Sequence, residues 1–164
     1  MLHRVFKYTD YDGNEQEIDA YFNLSKNDCI DLDHAFKEQG GLIQYLTHLI
    51  KLSKENPNVE PDDDFLRFVR VLVSKAYGIR PKDDPSLFLK EDDYGRPYAR
   101  KFRGTQAYDN FVFDLLTGKE SLSDFTDHIL PDMDDDQRAE AQKVLLEQGV
   151  DIRELSEAVI PTKA

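Results

Sequence analysis

The residues best able to do chemistry in this chain are carboxylates, and they come in runs. Asp10-Tyr11-Asp12-Gly13-Asn14 has the composition of a calcium loop. An EF-hand, however, needs glycine at its sixth position and a bidentate glutamate at its twelfth. Counting from Asp10, the glycine comes fourth and the twelfth residue is Tyr21. The spacing fails, and a hairpin turn in which Gly13 takes a positive φ accounts for the segment better. The acidic runs at 60–64 and 132–136 lack the histidines or spaced carboxylates of a dedicated cation site. Their position fits negative charge at the starts of helices. His3, His34, His48 and His128 fall on separate segments, with no His-x-x-x-His or Cys-x-x-Cys pair, so the spacing of a zinc site is missing.

Nucleophiles fare no better. Cys29 is the single cysteine, which rules out an internal disulfide and fits a reducing compartment. It falls on an apolar helical stripe, where a buried structural thiol is expected, and the local sequence supplies no basic neighbour to activate it. The glycines form no phosphate-cradling pattern, and no serine is flanked as in a nucleophile elbow. The expectation is therefore no catalytic residue, no metal, no cofactor and no enzyme activity. One segment stands apart: Phe88, Tyr94, Tyr98, Phe102 and Tyr108 are interleaved with Lys90, Arg96, Arg100, Lys101 and Arg103. This is the locally basic part of an acidic chain. It reads either as a loop pinned to the core by its aromatics or as a protein-binding face, because Tyr, Phe and Arg anchor interfaces. On the second reading the partner-binding residues are Phe88, Tyr94, Arg96, Tyr98, Arg100, Phe102 and Tyr108.

The elements that must position these residues follow from periodicity. Residues 4–22 alternate about the 10–14 turn as a β-hairpin, with Ile18, Ala20 and Phe22 on one face of the return strand. An isolated hairpin is marginal in water, so it must pack on helices. Ser25 suits the N-cap of a first helix carrying Cys29, Leu32 and Phe36 and ending at Gly40-Gly41. A second helix with Leu42, Tyr45, Leu46 and Leu49 on one side stops at Asn56-Pro57, and a Pro- and Asp-rich loop runs on to 64. The third helix is apolar over a wide arc (Phe65, Phe68, Val69, Leu72, Ala76, with Leu66, Val73 and Tyr77 beside them), runs to Tyr77 and ends at Gly78. Such a helix is central. Residues 79–104 read as irregular. Helix returns near Thr105 with the stripe Tyr108, Phe111, Val112 and Leu115, and a short helix at 121–130 opens on Ser-x-x-Asp and closes at Pro131. Beyond it, one helix carries Ala141, Val144, Leu145 and Gln148, and a last one carries Ile152, Leu155 and Val159.

The fold class expected is α+β, mostly α-helical: an N-terminal hairpin packed on about five to seven helices. Residues 1–131 form the hairpin-plus-helix domain, and 132–164 form an acidic helical extension, separate or part of the same domain. With 164 residues, 40% of them apolar, the chain has material for a real core. Burying roughly twenty large side chains at about 1.5–3 kcal/mol each offsets the entropy of ordering them. The formal net charge of −12 disfavours direct binding to nucleic acid or an anionic membrane. The opening segment lacks an apolar run long enough for a signal peptide, so the protein is expected to be soluble and to stay in the cell that makes it.

Order along the chain then carries a resemblance. Tyr8-Thr9-Asp10-Tyr11-Asp12-Gly13-Asn14-Glu15, followed by Tyr21-Phe22-Asn23-Leu24-Ser25-Lys26, resembles the start of the small tail assembly chaperones of siphophages and related prophages. Gly40-Gly41 lies where that family has a glycine break, and Tyr77-Gly78 closes the central helix. Phe102, Thr105, Ala107-Tyr108, Phe111 and Leu115 are similar to the family's F-x-x-T-x-A-Y segment leading into a helix, which Phe125, Ile129 and Pro131 close. The resemblance covers about residues 4–131. It implies a non-catalytic partner of the tape measure protein, keeping that client soluble while tail tube subunits polymerise around it. The partners implied are the tape measure protein, the tail tube protein and a further copy of the chain. The setting implied is the cytoplasm of an infected or lysogenic host, and absence from the mature virion. The competing reading is an acidic phage-encoded inhibitor or nucleic-acid mimic acting on a host protein. It requires carboxylates over one continuous face, and a basic patch around Arg96 to Arg103 would count against it.

Overall fold

The computed structural model describes residues 1–55 and 62–131. The chain divides into two compact units: the first spans 1–25 and 61–130, and the second begins at Lys26. The loop expected at 56–61 and the two helices expected in 132–164 lie outside the described residues.

In the first unit, β1 (Leu2–Thr9) and β2 (Glu15–Phe22) pair antiparallel in unbroken register, Leu2 opposite Phe22 and Thr9 opposite Glu15. Strict alternation along β1 exposes His3, Val5, Lys7 and Thr9 and half-buries Leu2, Arg4, Phe6 and Tyr8. The Asp10 carboxylate closes the turn by accepting from the backbone amides of Asp12 (3.0 Å) and Asn14 (2.8 Å), and Gly13 takes φ 84°. The Asp10 carboxylate also accepts from Gln16 Nε2 at 3.0 Å.

The central helix α1 of this unit (Asp63–Ala76) starts at Asp62, whose side chain accepts from Phe65 N at 2.8 Å. Asp63 and Asp64 add negative charge to its first turn. Phe68, Val69, Leu72, Val73 and Ala76 form its buried face. The helix stops one residue earlier than expected. Tyr77 is extended, and Tyr77–Gly78 forms a third strand, β3, antiparallel to β2. The hairpin therefore becomes a three-stranded sheet in the order β1-β2-β3. Gly78 is also closely approached: a Cβ there would stand 2.6 Å from Phe88 Cζ and 2.7 Å from the carbonyl oxygen of Leu89. A bare glycine lets the following loop fold back over the strand.

That loop is less irregular than its composition suggests. Ile79 bridges Leu89 and Glu91 bridges Pro97, which makes a small second hairpin. The helices α2 (Ala99–Arg103), α3 (Gln106–Thr117) and α4 (Leu122–Ile129) follow. The first of these was not expected from the sequence. Thr105 caps α3 through Tyr108 N, and Ser121 caps α4 through Asp124 N at 3.2 Å. The end of β2 is tied down twice, Asn23 N donating to Ala76 O and Leu24 N to Ile129 O. Around Phe22 the rings of Phe6, Tyr77, Phe102, Phe111 and Phe125 lie 5.4–6.3 Å away between centroids. Tilted and edge-on pairs at such spacings add about 0.5–1.5 kcal/mol each beyond their buried area.

The second unit is described over a helix α5 (Lys26–Ala35), a 3₁₀ turn (Lys37–Gln39) and a helix α6 (Leu42–Glu55). The first helix ends before Gly40-Gly41, because the chain tightens at Phe36 and both glycines take positive φ, 93° and 89°. Phe36 stacks on Tyr45 at 5.9 Å. Leu32 and Phe36 are buried as expected, whereas Cys29 is a half-covered thiol and Asp28 is the buried neighbour. Asp33 caps α6 from the preceding helix: its Oδ1 accepts from Leu42 N at 2.6 Å. Burial raises the Asp33 carboxyl above its ordinary value, and the Leu42 amide partly opposes this. Among the described residues, six α-helices and a three-stranded sheet make an α+β fold that is mostly helical.

Gly78→Ala should destabilise the first unit by about 1–3 kcal/mol, the usual cost of overpacking, read as a lower urea midpoint with unchanged slope. Adding Phe88→Ala should recover only part of this, since the Leu89 carbonyl stays in place. In the second unit, Asp33→Ala should cost about 1 kcal/mol through loss of the cap, whereas Asp33→Asn keeps the acceptor and loses less. Amide exchange across the first turn of α6 measures both.

Candidate partner-binding surface

The segment singled out by its aromatic and basic residues is built on a turn that repeats the chemistry of the first. Asp92-Asp93-Tyr94-Gly95-Arg96 places aspartate first and glycine fourth, as Asp10-Tyr11-Asp12-Gly13-Asn14 does. Asp92 N donates to Arg96 O at 2.9 Å and Gly95 N to Asp92 O at 3.0 Å. The matching bonds in the first turn are 2.8 and 3.1 Å. The Asp92 carboxylate accepts from the amides of Tyr94 and Arg96, each at 2.9 Å, and from Arg96 Nε at 2.8 Å. The amide of Arg96 is the largest cause holding the Asp92 carboxyl below its ordinary range, and the Tyr94 amide and the Arg96 guanidinium add to it. Asp10 is lowered in the same way, first by the Asn14 amide and then by Gln16.

This turn holds Tyr94 out in solvent, 83% exposed, with the Arg96 guanidinium 5.1 Å from its ring centroid. Arg100, Lys101 and Arg103 are exposed on α2, directly after the hairpin. Phe88 is half-buried over Gly78, beneath the Lys90 ammonium at 5.7 Å, and Lys90 Nζ donates to Lys75 O at 2.6 Å. Tyr98 is half-buried, and its amide donates to Lys90 O. Tyr108 is also half-buried, edge-on to Phe102 at 5.5 Å. Phe102, expected on the partner face, belongs to the core. It is 2% exposed and stacks on Tyr77 at 4.3 Å with the rings 4° from parallel. Of the seven residues expected to bind a partner, Tyr94, Arg96 and Arg100 are therefore open, Phe88, Tyr98 and Tyr108 are half-buried, and Phe102 is core.

Sequence reasoning passed over another exposed aromatic. Phe113 is 64% exposed on α3. It lies four residues after Asp109 and three after Asn110, off the Phe111–Val112–Leu115 stripe, and that mismatch was its signal. Among the described residues no group of three or more His, Cys, Asp or Glu is placed to hold a metal ion, and no helix is long and apolar enough to cross a membrane.

Tyr94 and Arg96 thus share an exposed turn, and the basic helix α2 follows it in the chain. The sequence pattern of the phage tail assembly chaperones matches residues 1–161. The chain belongs to that family. Membership implies a non-catalytic role in building tails inside the host cell. The match runs past residue 131, so the acidic C-terminal segment is part of the pattern, where the resemblance in the sequence had stopped. No curated protein and no solved structure matches the chain.

The lowered carboxyls give this chaperone a defined acid response. A group whose folded value is depressed adds stability above its unfolded value and loses it as pH falls through the folded one. Both turns should therefore loosen below about pH 3.8, the ordinary Asp value. The Tyr94 and Arg96 amides should lose exchange protection there. In Asp92→Ala they should lack that protection already at neutral pH.

Proposed function

We propose that this chaperone keeps the tape measure protein soluble during tail assembly, and that the tip formed by Tyr94, Arg96 and Arg100 is part of the surface that holds it. The observation that supports the reading is Tyr94, an aromatic ring 83% exposed on a turn whose Tyr94 and Arg96 amides donate to the Asp92 carboxylate. A pre-organised Tyr–Arg pair binds with little further loss of freedom. A long helical client exposes apolar stripes before the tail tube surrounds it, and aromatic rings can cover such stripes. The net charge of −12 keeps the loaded complex dispersed. Tail tube subunits are a second expected contact, reached when they displace the chaperone.

The competing reading as an acidic inhibitor or nucleic-acid mimic is disfavoured by the exposed run of Arg96, Arg100, Lys101 and Arg103. A mimic needs an unbroken acidic face, and these side chains interrupt it.

Co-expression with the tape measure protein tests the proposal. The client should stay in the soluble fraction and co-purify with the wild-type chaperone. The triple variant Tyr94→Ala, Arg96→Ala, Arg100→Ala should keep its fold and lose tenfold or more of client binding, as expected when hot-spot residues are truncated. A client that stays insoluble beside the wild-type protein defeats the reading. A soluble complex that tolerates the triple variant moves the site elsewhere.

A further inference from the structure

We propose that helix α2 reads acidic charge in the client. Its exposed row of Arg100, Lys101 and Arg103 docks a helical segment that carries carboxylates beside its apolar stripe. The proposal rests on the reading of the Tyr94 tip as client surface, and it names the chemistry that this surface takes. From Tyr94 to Tyr108 the chain holds Arg96, Arg100, Lys101 and Arg103 and no acid, in a protein of formal net charge −12. Arg96 is already engaged: its Nε donates to Asp92 Oδ2 at 2.8 Å, and its guanidinium lies 5.1 Å from the Tyr94 ring centroid. The other three differ. Among the described residues, the side chains of Arg100, Lys101 and Arg103 make no ion pair and no hydrogen bond.

The fold sets this row on a fixed mount. α2 buries Ala99 and Phe102 and leaves the three cations exposed. Phe102 stacks on Tyr77 at 4.3 Å and stands edge-on to Tyr108, so the helix cannot roll without opening the core. Arg100 and Arg103 stand three residues apart, the spacing that places side chains on one helical face. A helix C-terminus carries about half a negative charge, which a single cation offsets. Three cations exceed that need and leave charge over for a partner.

Charge complementarity names the occupant. The acids that flank the segment leave the row free: the Asp92 carboxylate accepts from the Tyr94 and Arg96 amides, and neither Asp93 nor Asp109 pairs with it. Exposed guanidinium and ammonium groups held in place gain most from carboxylates, which arginine takes in a two-pronged grip. A helical client with acids three or four residues apart matches Arg100 and Arg103 and keeps its apolar stripe for the Tyr94 ring. Nucleic acid fits less well. Its phosphates extend past so short a row, into the field of a chain of net charge −12. A second copy brings that same net charge to the contact. A short acidic segment instead meets the row inside the screening length of about 8 Å at physiological salt.

The test uses the full chain, isotope-labelled, and three capped helical peptides that share one apolar stripe and carry glutamate, glutamine or lysine along its border. The glutamate peptide should shift the amide signals of residues 99–106 and bind about tenfold more tightly than the glutamine peptide. The lysine peptide should bind more weakly than either, and the glutamate affinity should fall as salt rises. The double variant Lys101→Gln, Arg103→Gln leaves the Tyr94 tip intact. It should keep the wild-type circular dichroism spectrum, lose about tenfold for the glutamate peptide and hold the client less tightly in co-expression. Should it lose its fold, the peptide ranking and the salt titration on the wild-type chain still decide. Equal affinity for the three peptides, shifts confined to other residues, or a client indifferent to a folded double variant would overturn the inference. So would tighter binding of a single-stranded oligonucleotide at these residues, or a dimer of the chain alone that the double variant dissolves. The two readings fail separately. A client insoluble beside the wild-type protein removes the client reading, whereas a soluble client without the peptide ranking removes only the acidic preference.

Discussion

Phe22 is the side chain on which the first unit converges. It is fully buried, and five rings from β1, β3 and three of the helices surround it. Its position at the end of β2 is set by the register of the hairpin, and a slip of one residue would turn it to solvent. Asn23 and Leu24, immediately after it, donate to the ends of the central helix and of α4. One apolar ring and two backbone bonds thus join segments that lie far apart in the chain. The turn at Asp10 matters for the same reason, since the carboxylate that shapes it also fixes which face of β2 looks inward.

The parts of this architecture governed by neighbouring residues were readable from the chain alone. The hairpin, the cap at Ser121, the acidic start of the central helix, and the buried faces of the helices that begin at Asp63 and Gln106 follow from spacing and turn chemistry. What escaped depends on distant partners. β3 pairs with β2 while Phe88 and Leu89 settle over Gly78, and nothing near Gly78 in sequence announces either. Phe102 shows no helical stripe to mark it as core, because its helix is five residues long and its cover comes from Tyr77, Phe22, Phe6 and Tyr108. Charge around it drew attention to the surface instead. The second Asp–Gly turn was legible in principle, by comparison with the first, but its mixed composition concealed it.

The surface left over is selective in what it exposes. Tyr94, Phe113 and Val5 are open on different elements of the same unit, while most large aromatics are enclosed. A family whose role is to accompany other tail proteins has use for more than one such face.

The twin turns carry a further consequence. In each, the conformation is held by an aspartate, a glycine and the backbone itself, whereas Tyr11 and Tyr94 project without contributing a hydrogen bond from their rings. Substitutions at those projecting positions need not disturb the scaffold beneath. On the proposed client surface, the residue at the tip can therefore change while the turn that carries it stays the same.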